Sequence, residues 1–325
     1  MYLTFPRNSD KLIYIPKNPY ENEELIKFQN IPLTKLDFII LNFLGAKDGW
    51  VRVDKKTNIW KIYNTILKNK REKTRKMVMY EGESIEDFAK DIAKQANLDI
   101  TKILKKYKEI AYYKEGDIIA KKYDIPYKTT ESSTIAYMVS TSHKIFRDIL
   151  KKYNYKIKVP SKKFKELLTI ASIIEKETQN YSEMPLISAV IHNRLERNMK
   201  LQLDATLNYG KHRHSIITPQ IIKNDNSQYN TYKFKGLPPL PLGAVSIKAF
   251  TAAINPAKVD FLYFVKKGKR HIFSKDYSNH IINVSKYKKR LREKMKRRVY
   301  KILNAWVKVE FPMHYPKFNF YLPIK

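Results

Sequence analysis

The segment that most constrains the fold lies at residues 164–179 and reads FKELLTIASIIEKETQ. Positions 167 to 174 are apolar or small almost without interruption, which predicts a helix that is buried on most sides. Ser161 stands where an N-cap residue is expected, and we expect the helix to run to about Thr178. Such a helix needs a substantial core around it, and a chain of 325 residues with 43% hydrophobic residues can build one.

Two carboxylates, Glu175 and Glu177, occupy the last turn of this predicted helix. The negative end of the helix dipole and partial burial both disfavour the ionised form of a carboxylate at that position. We therefore expect a raised pKa of the kind that suits a general acid. Helical periodicity places both side chains at the borders of the apolar face, so it does not choose between them. The alternative is that both are solvated side chains at an ordinary helix end, since only some perturbed carboxylates are catalytic.

Polar and aromatic side chains cluster in two segments after this helix, residues 190–210 and residues 229–241. Amide, guanidinium and tyrosine groups can bind the hydroxyls and acetamides of sugars, and rings held on a proline-containing loop suit carbohydrate stacking. The same groups more often satisfy buried loop backbone, so the pattern leaves both roles open. The candidate substrate-binding residues are Asn193, Arg194, Gln202, Asp204, Tyr209, Tyr229, Asn230, Thr231 and Tyr232.

The charge balance indicates an attraction to polyanions. The chain has 64 Lys and Arg against 31 Asp and Glu, a formal net charge of +33, and such a field attracts nucleic acid, anionic lipid or carboxylate-bearing wall polymers. A compositional bias toward lysine explains the excess equally well.

The absence of cysteine excludes disulfides, thiol catalysis and Cys-ligated zinc, and the seven histidines show no zinc-site spacing. We therefore expect no metal and no other cofactor.

Local patterns predict both helices and strands. Alternation at residues 50–53 and the apolar run at residues 260–265 predict strands, whereas Ser84 is typical of a helix N-cap. The longest apolar run, residues 36–43, is too short to span a membrane and carries Asp37, so we expect it to be a buried core element. The first residues contain no apolar region of the signal-peptide type.

Eight short motifs occur in order between residues 171 and 274: ASIIEKET (171–178), NRL (193–195), LQLDATLNYG (201–210), YNTY (229–232), GLPP (236–239), NPAK (255–258), LYFV (262–265) and HIFS (271–274). Together they resemble the catalytic domain of the endolytic murein transglycosylases, the MltG/YceG family. Upstream, the motifs GWVRV (49–53) and MVMYEGESIEDFAKDIA (77–93) resemble the LysM-like region of that family and the start of its catalytic domain.

The resemblance implies an α+β protein with three segments. A small N-terminal LysM-like module is expected at residues 1–76, and a larger mixed α+β catalytic domain at residues 77–298. The catalytic domain is expected to contain the buried helix and a sheet region rich in glycine and proline. Residues 299–325 are expected to be a C-terminal extension.

The resemblance also implies the chemistry. In the family the catalytic acid/base is the second glutamate of the EKET motif, which is Glu177 here. The family cleaves the β-1,4 bond between N-acetylmuramic acid and N-acetylglucosamine in nascent peptidoglycan without water, which gives 1,6-anhydro-muramyl ends and terminates glycan strands. The substrate supplies its own nucleophile, so Asp204, the best candidate for a second carboxylate, is assigned to orientation or structure.

Partners and location follow from the same resemblance. Peptidoglycan strands are the expected substrate, and penicillin-binding proteins of the elongation machinery are expected partners. The expected location is the periplasmic face of the inner membrane, although the family's N-terminal anchor helix is not present in this chain. The lysine-rich helix predicted at residues 286–298 is a candidate contact for an anionic membrane surface.

Two loops depart from the pattern of the family. The family usually has Asp-Pro-Thr where this chain has Asp204-Ala205-Thr206, and after GLPP it usually has a Gly-Pro-Ile turn and an Asn-Pro-Gly, where residues 240–245 read LPLGAV. These departures leave the geometry of the loops open and do not touch the predicted acid.

Two other functions compete with this hypothesis. The charge and the abundant tyrosine also suit a basic nucleic-acid-binding protein, although no helix-turn-helix, RNP or zinc-finger signature supports it and no nucleic acid is expected as a partner. A catalytically silent scaffold that binds the wall through its LysM-like part is the other alternative.

Overall fold

The computed structural model describes residues 11–310, apart from residues 22, 30, 32, 54–57, 69 and 269. Helices and strands mix along these described residues, which confirms the α+β class. Single 3₁₀ turns occur at Pro19–Glu21 and Gly210–His212. The strands and helices are β1 (Lys11–Ile15), α1 (Glu23–Phe28), α2 (Lys35–Phe43), β2 (Gly49–Val53), α3 (Ile59–Leu67), β3 (Thr74–Val78), α4 (Ile85–Ala96), α5 (Ile100–Ile110), β4 (Lys122–Pro126), α6 (Glu131–Lys152), α7 (Lys162–Glu177), α8 (Met184–Glu196), α9 (Asp204–Leu207), α10 (Pro219–Asn224), α11 (Ile247–Ile254), β5 (Tyr263–Lys267), β6 (Arg270–Ser274) and α12 (Tyr277–Glu310).

The strands of the described chain form three small antiparallel sheets of two strands each. Strand β1 pairs with β2, β3 with β4 and β5 with β6, with Ile13 opposite Val51 and Val265 opposite Ile272. Only β5 and β6 are joined by a short hairpin turn. The other two sheets join strands that are distant in sequence, so each closes a loop that contains helices.

The helix boundaries follow the capping signals of the sequence. The side chain of Ser84 accepts a hydrogen bond from the backbone N–H of Asp87 at the start of α4. Ser161 accepts one from the N–H of Phe164 at the start of α7, which ends at Glu177, one residue before the predicted end. Each cap satisfies one backbone donor that the helix itself leaves unpaired.

Two structural expectations are met only in part. Within the glycine- and proline-rich region, residues 202–274, strands β5 and β6 form a described sheet, whereas residues 202–246 form short helices and turns whose polar groups are satisfied by side chains. Residues 36–43 form α2, but only Phe38 and Leu41 of this helix are buried. A continuous apolar run points to all sides of a helix, and α2 packs with only one of them.

The described contacts divide the chain into two compact units, Met1–Asp260 and Phe261–Lys325. In the second unit the β5–β6 hairpin packs on α12, where the Tyr263 and His280 rings stack with centroids 5.1 Å apart.

No described helix combines the length and hydrophobicity that crossing a bilayer requires.

Helix α7 forms the centre of the first unit. It packs against α8, α9 and α11, and every side chain from Leu167 to Glu175 is buried. An aromatic cluster fixes its first turn, since the Phe164 ring lies 5.6 Å from that of Phe146 and 5.9 Å from that of Phe250. The helix is therefore held along its middle turns, and only its two ends, at Lys162 and Lys163 and at Lys176 and Glu177, approach solvent.

The first 67 residues also contain a core of their own. Eleven buried side chains between Ile13 and Ile66, contributed by β1, β2, α1, α2, α3 and their connections, pack together. The rings of Tyr14 and Trp50 then pack on Tyr137 of α6, at centroid distances of 4.5 Å and 5.1 Å. This N-terminal part is a small layer docked on α6.

A buried ionic cluster fastens the N-terminal part to the rest of the first unit. His143 of α6 is completely buried, with its Nδ1 atom 2.8 Å from Glu24 Oε2 and its Nε2 atom 3.7 Å from Asp117 Oδ2. Tyr112 stacks on the imidazole at a centroid distance of 3.9 Å and also donates its hydroxyl to Glu24. Arg147 contacts the same glutamate at 2.9 Å.

The two carboxylates keep His143 charged. Burial by itself lowers the pKa of His143, but Asp117 and Glu24 outweigh it and raise the pKa above 6.5. Burial by itself raises the pKa of Glu24, but His143, Tyr112 and Arg147 outweigh it and lower the pKa to about 2. The pair is therefore ionised between the folded-state pKa values of the glutamate and the histidine.

We predict that His143→Gln lowers the free energy of unfolding by about 3 kcal/mol at pH 6, because it leaves a buried carboxylate without its counter-charge. Because the folded-state pKa of His143 is raised, this histidine contributes its full stabilisation of the fold below pH 6.5. The contribution falls as pH rises through the folded-state pKa. The difference between wild type and variant should therefore shrink at pH 9, as measured by denaturant unfolding at both pH values.

Lys144→Gln is the matched control on the next residue. Lys144 pairs with Asp148 at 2.5 Å on the surface of the same helix, so its loss should lower the free energy of unfolding by about 1 kcal/mol or less. Equal losses in the two variants would show that the buried cluster does not fasten the N-terminal part.

Candidate active site

The structure separates the two carboxylates that periodicity left equivalent. Glu175 is only 6% exposed, and its Oε2 atom accepts a hydrogen bond of 2.6 Å from the backbone N–H of Ser246, the N-cap residue of α11. Its Oε1 atom is buried without a hydrogen-bond partner among the described residues. Burial raises the pKa of Glu175 despite the opposing bonds from Ser246. This glutamate fastens the start of α11 to α7.

Glu177 is the last residue of α7 and is partly exposed. Its Oε1 atom lies 3.4 Å from the backbone N–H of Ala205, which donates to it from the first turn of α9. The last turn of the buried helix and the first turn of α9 therefore meet at this carboxylate. Of the two glutamates, this one is positioned to reach a molecule that arrives from solvent.

Asp204 and Tyr232 lie next to Glu177. The Tyr232 hydroxyl donates to Asp204 Oδ1 at 2.7 Å, and Asp204 directly precedes the residue that donates to Glu177. Burial raises the pKa of Tyr232, and the hydrogen bond and charge of Asp204 and the charge of Glu177 raise it further. Tyr232 therefore stays protonated at neutral pH and acts as a donor.

A pair of tyrosines follows α9. The Tyr209 and Tyr229 rings lie 4.8 Å apart between centroids and are tilted by 31°. Burial and then the charge of Glu115 raise the pKa of Tyr209. Both rings are partly exposed, so they combine a neutral hydroxyl with an accessible aromatic face.

Four other candidates hold loops together with their side chains. The fully buried Asn230 amide donates to the carbonyls of Ile222 and Asp225 at 2.9 Å and 2.8 Å. Thr231 accepts from the N–H of Leu203 at 3.1 Å. Arg194 donates to the carbonyl of Leu201 at 2.6 Å, and Asn193 to that of Val259 at 2.9 Å.

Gln202 differs from these four because its side chain is exposed. Its backbone has a φ of +50° and donates to the carbonyl of Thr231 at 3.1 Å. The structure thus brings Glu177, Asp204 and Tyr232 together, with the exposed Gln202 two residues before Asp204.

Sequence reasoning missed Tyr181, which lies four residues after Glu177 and outside the recognised motifs. Its ring is exposed, with Lys248 Nζ 3.5 Å from the ring centroid, and its hydroxyl donates to Glu81 at 3.2 Å. An exposed tyrosine this close in sequence to the predicted acid was the available signal.

The loop at residues 236–246, which departs from the pattern of the family, is fixed by close backbone contacts. The N–H of Leu242 donates to Ser172 Oγ of α7 at 2.9 Å. Gly82 N–H donates to the carbonyl of Ala244 at 2.9 Å, and the N–H of Ala244 donates to that of Glu83 at 2.8 Å. A Cβ atom on Gly243 would lie only 2.7 Å from the carbonyl oxygen of Gly82.

We predict that Gly243→Ala lowers the free energy of unfolding by more than about 2 kcal/mol, because the added methyl group meets rigid backbone. Gly236→Ala is the matched control. Both glycines have positive φ, but a Cβ atom on Gly236 would meet nothing within 4 Å. The difference between the two variants in thermal unfolding measures the effect of the clash. Equal losses of stability would contradict the close approach of Gly243 to the Gly82 backbone.

We predict unequal losses of stability for alanine variants of the two glutamates of α7. Glu175→Ala should lower the free energy of unfolding by about 1–3 kcal/mol, because it removes the buried acceptor of the Ser246 N–H. Glu177→Ala should change it by about 1 kcal/mol or less, because the residue is partly exposed at a helix end. Denaturant unfolding compares the two, and a larger loss at Glu177 would contradict the assignment.

The described residues contain no group of three or more His, Asp or Glu side chains that could hold a metal ion.

A sequence model of the YceG-like family matches residues 23–286. This chain belongs to the YceG-like family. The match covers most of the N-terminal part and all of the candidate site, so the resemblance carried by the motifs is confirmed.

Curated relatives carry the name that the motifs predicted. The chain is 37% identical over 125 residues to the endolytic murein transglycosylase of Bacillus subtilis (strain 168), a match that covers 38% of this chain and 34% of that protein. It is 35% identical over 184 residues to the endolytic murein transglycosylase of Streptococcus pneumoniae serotype 2 (strain D39 / NCTC 7466), covering 54% of this chain and 32% of that protein. The chain thus spans about a third of the length of each relative.

A solved structure supports the fold. The crystal structure of a yceG-like protein from Listeria monocytogenes superposes with a TM-score of 0.54 at 24% identity, covering 84% of this chain and 99% of that chain.

Proposed function

We propose that this protein is an endolytic lytic transglycosylase that cleaves the β-1,4 bond between N-acetylmuramic acid and N-acetylglucosamine in nascent peptidoglycan. The observation that carries the proposal is the position of Glu177, the second glutamate of the EKET motif, at the partly exposed end of a buried helix. The matched relatives, which are named endolytic murein transglycosylases, support the substrate.

The proposed reaction needs two successive proton transfers at one carboxyl group. Glu177 in its acid form donates a proton to the glycosidic oxygen as the C1–O bond breaks and C1 gains oxocarbenium character. The C6 hydroxyl oxygen of the same muramic acid then bonds to C1, and its proton passes to the Glu177 carboxylate. The products are a 1,6-anhydro-muramyl end and a free 4-hydroxyl on N-acetylglucosamine, and the enzyme returns to its starting state.

The surroundings of Glu177 suit a single acid/base. Hydrolysis with a second carboxylate would need that group free to activate water or to attack C1. Asp204 already accepts the Tyr232 hydroxyl at 2.7 Å, which supports a role in orientation.

We propose that the candidates act in two ways, according to what their side chains contact. Gln202, Asp204, Tyr209, Tyr229 and Tyr232 are exposed or partly exposed, and we assign them to direct contact with the sugar rings. Asn193, Arg194, Asn230 and Thr231 are proposed to act through the loops that their side chains hold.

The wider organisation is part of the same proposal. Residues 1–76 are proposed as the LysM-like module, 77–298 as the catalytic domain and 299–325 as an extension. The separate core between Ile13 and Ile66 supports a distinct N-terminal module. The protein is proposed to act outside the cytoplasm, at the periplasmic face of the inner membrane, and to end growing strands beside penicillin-binding proteins.

We predict that Glu177→Gln lowers the rate of glycan cleavage by at least about a thousandfold, because the amide has no proton to donate to the leaving oxygen. Purified glycan strands are digested with wild type and variant, and mass spectrometry counts the 1,6-anhydro ends. Wild type should give these ends without incorporation of ¹⁸O from labelled water.

Glu175→Gln is the matched control two residues away. Its amide oxygen can still accept from the Ser246 N–H, so cleavage should continue. Reducing ends that carry ¹⁸O, or equal activity of wild type and Glu177→Gln, would contradict the proposed chemistry.

A further inference from the structure

The outer surface of α2 is apolar and uncovered. Leu36 is 63% exposed, Ile40 39%, Phe43 89% and Leu44, the C-cap residue, 53%. At 100° per residue, these four side chains fall within an arc of about 100°. The opposite face of the helix supplies Phe38 and Leu41 to the core. Helix α2 is therefore apolar on both faces, and only one of them is used by the fold.

Helix α3 extends this surface. Trp60 is 73% exposed, and its ring centroid lies 6.4 Å from that of Tyr63. The Tyr63 hydroxyl donates to Asp37 Oδ1 of α2 at 2.6 Å, which brings Trp60 close to the first turn of α2. We call these five exposed apolar side chains, which lie on neighbouring helices, the α2–α3 face: Leu36, Ile40, Phe43, Leu44 and Trp60.

The size and grouping of this face require an explanation. Single exposed apolar residues are normal on proteins, but a contiguous group rimmed by polar residues marks an interaction site. Phe43 and Trp60 are among the most exposed large apolar side chains in the described chain. Exposing these two rings to water does not stabilise the fold, which indicates that the surface binds another molecule.

The charges beside Trp60 on α3 are basic, whereas at the two ends of α2 Glu23 pairs with Lys35 and Asp48 is exposed. Lys61 and Lys68 are exposed on the side of α3 that carries Trp60, and Lys70 follows. The next acidic residue along the chain, Glu72, contacts Arg52 at 3.3 Å. On α2 the Asp37 carboxylate is held by Thr34 and Tyr63. An apolar occupant with a negative rim would therefore complement the surface.

We propose that the α2–α3 face binds the surface of an anionic lipid bilayer. Aliphatic and aromatic side chains on one side of a helix, with lysines beside them, are the pattern of segments that lie in the membrane interface. Trp60 and Phe43 would enter the headgroup and upper acyl region, and the lysines of α3 would meet lipid phosphates. A second copy would bring the same lysines together, and the aliphatic side chains offer no hydrogen bonds to a glycan.

The proposal is tested with the whole chain and vesicles of phosphatidylglycerol and phosphatidylcholine, in 0.3 M salt to suppress adsorption by net charge alone. Flotation should recover the protein with these vesicles and much less with pure phosphatidylcholine. Phe43→Ser together with Trp60→Ser should lower the partition coefficient by at least about tenfold, because two buried rings are lost from the interface.

Ile216→Ser together with Tyr127→Ser is the matched control. It removes two exposed apolar side chains, 86% and 61% accessible, from other surfaces of the first unit and should bind vesicles like wild type. All four positions are exposed, so both double variants should keep the wild-type unfolding midpoint. Equal vesicle binding by the Phe43/Trp60 variant and wild type would overturn the proposal.

Lipids with brominated acyl chains locate the contact. In a Trp306→Phe background the remaining tryptophans are Trp50, which is 2% exposed, and Trp60. Bromine should quench the emission of this protein, and the additional change Trp60→Phe should abolish the quenching. Quenching that persists in that variant would overturn the proposal, as would a concentration-dependent dimer that the Phe43/Trp60 variant abolishes.

The proposal does not rest on catalysis. Glu177→Gln should bind vesicles like wild type while failing to cut glycan strands, so failure of the proposed activity and failure of the proposed membrane contact are distinguishable.

Discussion

Burial of α7 from Leu167 to Glu175 is the constraint on which the rest of the first unit depends. A helix covered by α8, α9, α11 and the Phe146–Phe164–Phe250 cluster meets solvent only at its two ends. The residue at that turn, Glu177, is consequently held by a rigid support rather than by a loop. A general acid that must meet one oxygen of a polymer needs such a fixed position.

The two glutamates of this turn have different environments because one is buried and the other is partly exposed. Glu175 points into the core and accepts the Ser246 N–H, so its carboxylate fixes α11 and the loop before it. Ser172 fixes the same loop one turn earlier, and the absence of a side chain at Gly243 lets it approach the Gly82–Glu83 backbone. The sheet that was expected here is replaced by backbone fastened to side chains of α7 and to the backbone of residues 82–83.

The N-terminal part differs on its two sides. The His143 cluster encloses charges completely and fastens the N-terminal part through Glu24, which makes that contact dependent on pH. The α2–α3 face leaves apolar side chains uncovered on the same N-terminal part. A module held firmly on one side and apolar on the other is suited to bring the rest of the first unit to a surface.

The sequence by itself determined the buried helix that follows Ser161, its cap at that residue, the family and the order of its motifs. These depend on local periodicity, on capping chemistry and on the identity of short segments, all of which a linear chain displays. Only the tertiary structure distinguished Glu175 from Glu177 by environment, separated the loop-holding Asn230 from the accessible Tyr232, and left the outer face of α2 uncovered. Those outcomes depend on which neighbours, distant in sequence, cover each side chain, and periodicity carries no information about what lies opposite a helix face.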